Sequence, residues 1–290
     1  MPRPVIGVIG GSGLYDLPGL ADVKREVLGT PFGEPSDAFV TGELAGTRLV
    51  FLPRHGAGHR LTPTEINYRA NVHGMKQLGV THLVSVSAVG SMKEAIVPGH
   101  LVLVDQYIDR TVARSKTFFG GGAVAHVSFA DPACGSLRAH LEAACFSAGA
   151  TVHAKGTYLC IEGPQFSTRA ESLLYRSWGI DVIGMTAMPE ARLAREAELC
   201  YVTLALATDY DCWHTGHDAV TVDQVVATIH KNVELARAVI REAALAADRL
   251  GETRDSCAHA LDHAVMTAPA KIPAEARERL ALLLGDRHRA

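Results

Sequence analysis

Short runs dense in Val, Ile and Leu recur along this chain, each closed by turn residues and several followed by a stretch of helical length. They read "PVIGVIG", "RLVFLP", "HLVSVSA", "LVLVDQYI", "GTYLCIEG", "DVIGM" and "YVTLALATD". Near-continuous apolar strands of this kind bury both faces, so they need a sheet covered on each side. Helix starts are equally legible. "TPTE" at 62–65 and "TRAE" at 168–171 fit the capping box in which Thr and Glu satisfy each other's backbone amides, and Pro63 suits a first helical position. "TVDQ" at 221–224 is the Gln form and opens a stretch to about Leu250 whose apolar positions follow a helical period. The spacing therefore predicts one α/β domain over 1–290, with a long C-terminal helix. Residues 251–290 form a helical extension in which "ARERLALLL" makes one more helix.

Composition narrows the function classes. With 290 residues, 48% of them hydrophobic, the chain can bury a large core, and a formal charge of −3 without any Lys/Arg-dense stretch argues against a nucleic-acid footprint or a polybasic membrane patch. The apolar run at the N-terminus is too brief for a signal-peptide core, so a cytoplasmic protein is expected. The six cysteines are scattered without a C-x-x-C pair and read as buried thiols of a reducing compartment.

Several strand ends carry polar residues that can do chemistry. In "GVIGGSGLY" a strand runs into Gly10, Gly11, Ser12 and Gly13, which make either a plain tight turn or an anion cradle of backbone amides with one hydroxyl. The pattern matches neither the dinucleotide fingerprint nor the P-loop. In "LPRHGAGHRLTP" Arg54 and His55 leave a strand: the guanidinium fork suits phosphate oxygens, or is a surface charge, and His55 with His59 raises a metal pair that two intervening glycines disfavour. "SVSAVGS" and "IEGPQFSTRAES" are two further strand ends, where ligands of α/β sheets gather. Phe166 can stack on a planar ring or belong to the core. In "GMTAMPEARLARE", Thr186 can reach an anion or a sugar hydroxyl and a helix begins near Pro189, with Arg192, Arg195 and Glu196 read as a solvated face. Finally, "LALATDYDCWH" places Asp209 and Asp211 one residue apart at the end of a buried strand, where side chains at i and i+2 share a face. Such acids either pair with cations or raise each other's pKa until one holds a proton near neutrality.

Together "IGGSGLYD", "PRHG", "NYRAN", "SAVGS", "EGPQFSTRAES", "GMTAMPEA" and "TDYDCWH" resemble the nucleoside phosphorylase family, and within it the 5'-methylthioadenosine phosphorylases. The resemblance runs in order from about Val5 to the helix ending near Leu250. It implies a twisted mixed β-sheet flanked by helices, a homotrimer, and phosphorolysis of 5'-methylthioadenosine with inorganic phosphate as co-substrate. No other cofactor and no metal are expected, and the partners are small molecules, not nucleic acid or membrane. Position by position, it implies a phosphate site of Ser12, Arg54, His55, Ser87, Ala88 and Thr186, with Ser12 standing where other members place Thr. Met185 would pack on the ribose and Phe166 along the base, with Ser167 beside it. His126 would be lent by a neighbouring subunit near the 5' end of the sugar, while Val222, Val225 and Val226 would line a cleft for the methylthio group. Asp209 would hydrogen-bond or protonate the purine ring nitrogen and Asp211 help hold the exocyclic amine. Relatives acting on 6-oxopurines typically have Asn at the position of Asp209 and Glu at that of Ser167. A phosphorylase of broader base range and a non-catalytic purine-binding protein are the rival expectations.

Overall fold

The structure, a computed structural model, describes residues 3–11, 13–214, 222–250 and 256–288, with backbone alone for 222–230 and 288. In chain order the strands are β1 (Ile6–Gly10), β2 (Ala21–Glu26), β3 (Phe39–Leu44), β4 (Thr47–Pro53), β5 (His82–Ser91), β6 (Leu101–Leu103), β7 (Gln106–Asp109), β8 (Val152–His153), β9 (Thr157–Cys160), β10 (Val182–Gly184) and β11 (Cys200–Tyr210). The α-helices are α1 (Tyr68–Gln77), α2 (Gly135–Ser147), α3 (Arg169–Ser177), α4 (Ala187–Glu196), α5 (Val222–Leu245), α6 (Ala274–Arg279) and α7 (Ala281–Leu284).

All the strands join one mixed sheet, ordered β2-β3-β4-β1-β5-β10-β9-β7, with β11 on the other side of β5 and β6 and β8 beyond it. β1 runs parallel to both β4 and β5, and β11 runs parallel to β5 along its whole length. Past the end of β1, the outer part of β5 takes β10 as an antiparallel neighbour. The polar ends of β4, β5, β10 and β11 thereby converge.

Period-two alternation explains why these strands read as continuous apolar runs. Ile6, Val8, Leu49, Phe51, Val84, Val86, Val202 and Leu204 pack on one face with α2 and α5 residues such as Leu137, Leu141, Val239 and Ile240. Ile9, Val50, Leu52, Leu83, Tyr201 and Ala205 pack on the other with Val72, Met75, Leu193 and Ala194 of α1 and α4. Leu261, Ile272, Leu280, Leu283 and Leu284 of the extension join this second cluster, so residues beyond α5 contribute to the main core.

Four local expectations change. "TPTE" is a turn: Glu65 accepts from the amide and hydroxyl of Thr62, but the helix starts at Tyr68, capped by Asn67. "LVLVDQYI" is two strands, because Asp105 takes the Gly156 amide and redirects the chain from pairing with β11 to pairing with β9. "ARERLALLL" breaks at Leu280 into α6 and α7. The face of α4 expected to be solvated is largely buried: Arg195 donates to the carbonyls of Ser128, Asp131 and Pro132, and Glu196 accepts from Thr117 and the Phe118 amide. Arg192 alone of the three stays substantially exposed, paired with Asp109. The capping box at Thr168 and Glu171 forms as read, and α4 turns regular at Pro189 because Met188 has extended dihedrals. Among the described residues no helix is long and apolar enough to cross a membrane.

Candidate active site

The converging strand ends enclose a cavity of about 490 Å³, within the range typical of small-molecule sites. Its walls include His55 after β4, Ser87, Ala88 and Gly90 of β5, Met185 and Thr186 after β10, Phe166 and Ser167 before α3, and Asp209 and Asp211 at the end of β11. His55, Ser87, Ala88, Phe166, Ser167, Met185, Thr186, Asp209 and Asp211, all expected from the sequence, thus meet in one place, with His59 beside them.

Hydroxyls line one end. Ser87 Oγ lies 3.2 Å from Thr186 Oγ1 and 3.3 Å from Tyr158 Oη, and all three residues are buried. Thr186 precedes α4, whose regular part starts at Pro189, and its side chain makes no cap bond. Tyr158 reaches this spot because residue 184 is Gly: a Cβ there would fall 2.0 Å from the Tyr158 hydroxyl. His55 Nδ1 donates to the Leu61 carbonyl at 2.8 Å, leaving Nε2 as an acceptor. Burial, with some help from Arg54 and His59, pushes the His55 pKa down to about 4, so the imidazole is neutral near pH 7. His55 and His59 stack, with centroids 4.1 Å apart.

Arg54 corrects the simplest reading of its motif. It is 2% exposed and does not line the cavity. Its fork turns inward, with Nε and Nη2 on the two oxygens of Glu190 at 3.0 and 3.1 Å. Nη2 also donates to Ile9 and Ser85, and Nη1 to the Val86 carbonyl, which leaves one Nη1 hydrogen for a further acceptor. Burial alone would oppose the Arg54 charge, but Glu190 more than offsets it and the pKa rises. Glu190 in turn accepts from Tyr201, whose hydroxyl meets Thr203 and through it Tyr107. Sequence reading missed Glu190 and Tyr158, since a buried partner across the fold leaves no local signal.

The other end is acidic. A register shift between Ala207 and Asp209 lets β11 bulge where it passes Val89 and Gly90. A Cβ on Gly90 would lie 3.2 Å from Asp209 Oδ1 and 3.4 Å from Asp211 Cβ, so the missing side chain makes room for both acids. Burial raises the Asp209 pKa, Asp211 adds to the rise, and the Thr208 hydroxyl opposes it from 2.7 Å. Asp211 is held by a short bond from Ser172 on α3. The Ser167 hydroxyl is buried with no protein partner, while Phe166 is 85% exposed at the rim and so is not a core residue.

Two expected groups fall elsewhere. His126 lies off this cavity on the same chain, its amide bonded to the Ala264 carbonyl. Ser12 and the side chains of Val222, Val225 and Val226 lie outside the described residues.

Residues 5–244 match the sequence profile of the Phosphorylase superfamily. The chain is 64% identical, over 97% of its length and 98% of the relative's, to an S-methyl-5'-thioadenosine phosphorylase of Geobacter sulfurreducens. The crystal structure of a methylthioadenosine phosphorylase from an antarctic soil metagenomic library superposes with a TM-score of 0.93 at 50% identity, covering 98% of this chain and 100% of that one. A Schistosoma mansoni methylthioadenosine phosphorylase in complex with adenine superposes with a TM-score of 0.83 at 36% identity, covering 90% and 98%.

Proposed function

This chain belongs to the phosphorylase superfamily, and from that premise we propose how its cavity works. The enzyme is a pentosyltransferase that cleaves 5'-methylthioadenosine with phosphate, giving adenine and 5-methylthioribose 1-phosphate. The observation that carries the site assignment is that one cavity has hydroxyls and a neutral His at one end and a half-buried carboxyl pair at the other.

Cleaving an N-glycosidic bond builds positive charge on the sugar and negative charge on the departing purine. Phosphate sits among Ser12, Ser87, Thr186 and the Ala88 backbone, with the remaining Nη1 hydrogen of Arg54 behind it. Nε2 of His55 accepts the hydrogen of a monoprotonated phosphate, which keeps the anion oriented beneath the anomeric carbon. Its oxygens stabilise the developing cation before one of them bonds to it. Asp209, whose carboxyl burial and Asp211 shift toward the protonated form, delivers a proton to the ring nitrogen as the bond breaks, a step worth about 10²–10⁴-fold. Asp211 accepts from the exocyclic amine, Ser167 takes a hydrogen bond at the base edge, Phe166 closes over the ring and Met185 packs on the ribose. Val222, Val225 and Val226 receive the methylthio group.

The assembly is a homotrimer in the cytoplasm, in which a neighbour's His126 completes the sugar end, and phosphate is the one small molecule required besides the nucleoside. The test is adenine release from 5'-methylthioadenosine with and without phosphate, alongside adenosine, inosine and methylthioinosine. Strict phosphate dependence with preference for the methylthio aminopurine is expected. Release without phosphate would indicate hydrolysis, equal turnover of inosine a broader base range, and binding without turnover a sensor. Sedimentation of the chain tests the trimer.

A further inference from the structure

Away from this cavity three cysteines from separate parts of the chain meet. Cys134 caps the N-terminus of α2, Cys200 is the first residue of β11, and Cys257 lies in a 3₁₀ turn, Ser256–His259, of the C-terminal extension. They are 1%, 0% and 2% exposed, and their Sγ atoms all lie within 4.8 Å of one another. The Cys134 amide donates to the Tyr201 carbonyl at 2.9 Å, which fixes the first two elements together. A second cavity, about 470 Å³, is lined by Cys134 and Cys257 and gives the cluster a path to solvent.

We propose that Cys134, Cys200 and Cys257 bind a thiophilic d¹⁰ metal ion of the zinc class, with a solvent ligand from the second cavity in the fourth position. Tetrahedral zinc at ~2.3 Å from each sulfur needs sulfurs roughly 3.8 Å apart, so the observed spacing closes onto an ion by side-chain adjustment alone. On binding, three thiols lose their protons to solvent and three metal–sulfur bonds form, which leaves a divalent ion with three thiolates at a net charge of −1. The surroundings suit that charge. Arg138 and Arg195 line the cavity and α2 presents its N-terminus at Cys134. Two acids share that lining, Asp131 and Asp105, and one Asp105 oxygen is already taken by the Gly156 amide. The ion would tie the extension to the start of β11, remote in sequence from both other ligands, which is why no Cys spacing announces it.

The full chain, reduced with a phosphine and stripped by chelator, is equilibrated with zinc alone and, separately, with cobalt(II). One zinc per chain and a thiolate-to-cobalt charge-transfer band are expected. Cys200→Ser and Cys257→Ser should each weaken zinc binding at least tenfold, while Cys145→Ser, a buried thiol on α2 outside the cluster, should bind as the unaltered chain does. Absence of bound zinc in the reduced unaltered chain, a cobalt spectrum without a thiolate band, or equal zinc content in Cys200→Ser would overturn the assignment. The cobalt spectrum decides the matter even if a variant fails to fold.

Discussion

Next to His55 in the chain, a buried cation already has its carboxylate: Arg54 grips Glu190 with two parallel bonds and gives all but one of its other donors to carbonyls and a hydroxyl. At the end under β11, two carboxylates lie side by side, and among the described residues hydroxyls reach them, Thr208 for Asp209 and Ser172 for Asp211. The first arrangement is charge-paired before any ligand arrives, so its geometry is fixed by the fold. At the second, burial and the neighbouring Asp211 shift the Asp209 carboxyl toward its protonated form, which suits a partner that brings hydrogens. In the proposed reaction one end positions, and the other reacts.

Breaking the reactive end should have the largest effect. Asp209→Asn should lower turnover of 5'-methylthioadenosine about 10²–10⁴-fold and abolish the loss of kcat/KM that accompanies rising pH as Asp209 ionises, measured as a pH–rate profile. The same variant should be the more stable one near neutrality. A carboxyl whose folded pKa is raised contributes its stability fully below its unfolded pKa and loses it as pH rises through the folded value, and Asn has no proton to lose. An unchanged rate would remove Asp209 from the chemistry.

Breaking the positioning end should show first in folding. Glu190→Gln leaves a buried guanidinium without its counter-charge, which should cost about 3–5 kcal/mol in urea unfolding, with the KM for phosphate moving while that for nucleoside stays. Smaller effects test what holds the acidic end. Ser172→Ala deprives Asp211 of its donor and should raise the nucleoside KM by a factor equivalent to about 1.5–3 kcal/mol. Thr168→Ala removes the cap of the helix that carries Ser172 and should cost about 1 kcal/mol of stability with turnover nearly unchanged. If Thr168→Ala proved as damaging to turnover as Asp209→Asn, the separation between holding and reacting would fail.

The two ends also differ in how far the sequence announces them. Asp209, Asp211, Ser87 and Thr186 are visible because each follows an apolar run, and the pairing of β11 with β5 over ten positions does the rest. The partner of Arg54 is invisible because Glu190 lies on α4 among residues that read as an exposed charged face; only the packing of α4 on the sheet makes it buried. Strands β2 and β3 escape for a different reason. β2, "ADVKRE", is an exposed edge with no apolar alternation, and its pairing to β3 is imposed by the neighbour. "TPTE" shows the limit of a local motif: Glu65 accepts from the Thr62 amide and hydroxyl, but its own amide donates to the Thr62 carbonyl in a turn, and Asn67 starts the helix instead.

Gly90 sets how far apart the two acids can sit, and it does so from the adjacent strand. Retuning nucleobase preference therefore has two handles. Exchanging an acid alters what is offered to the purine, whereas filling the notch on β5 with a methyl group would pry the offered groups apart and leave their identity intact.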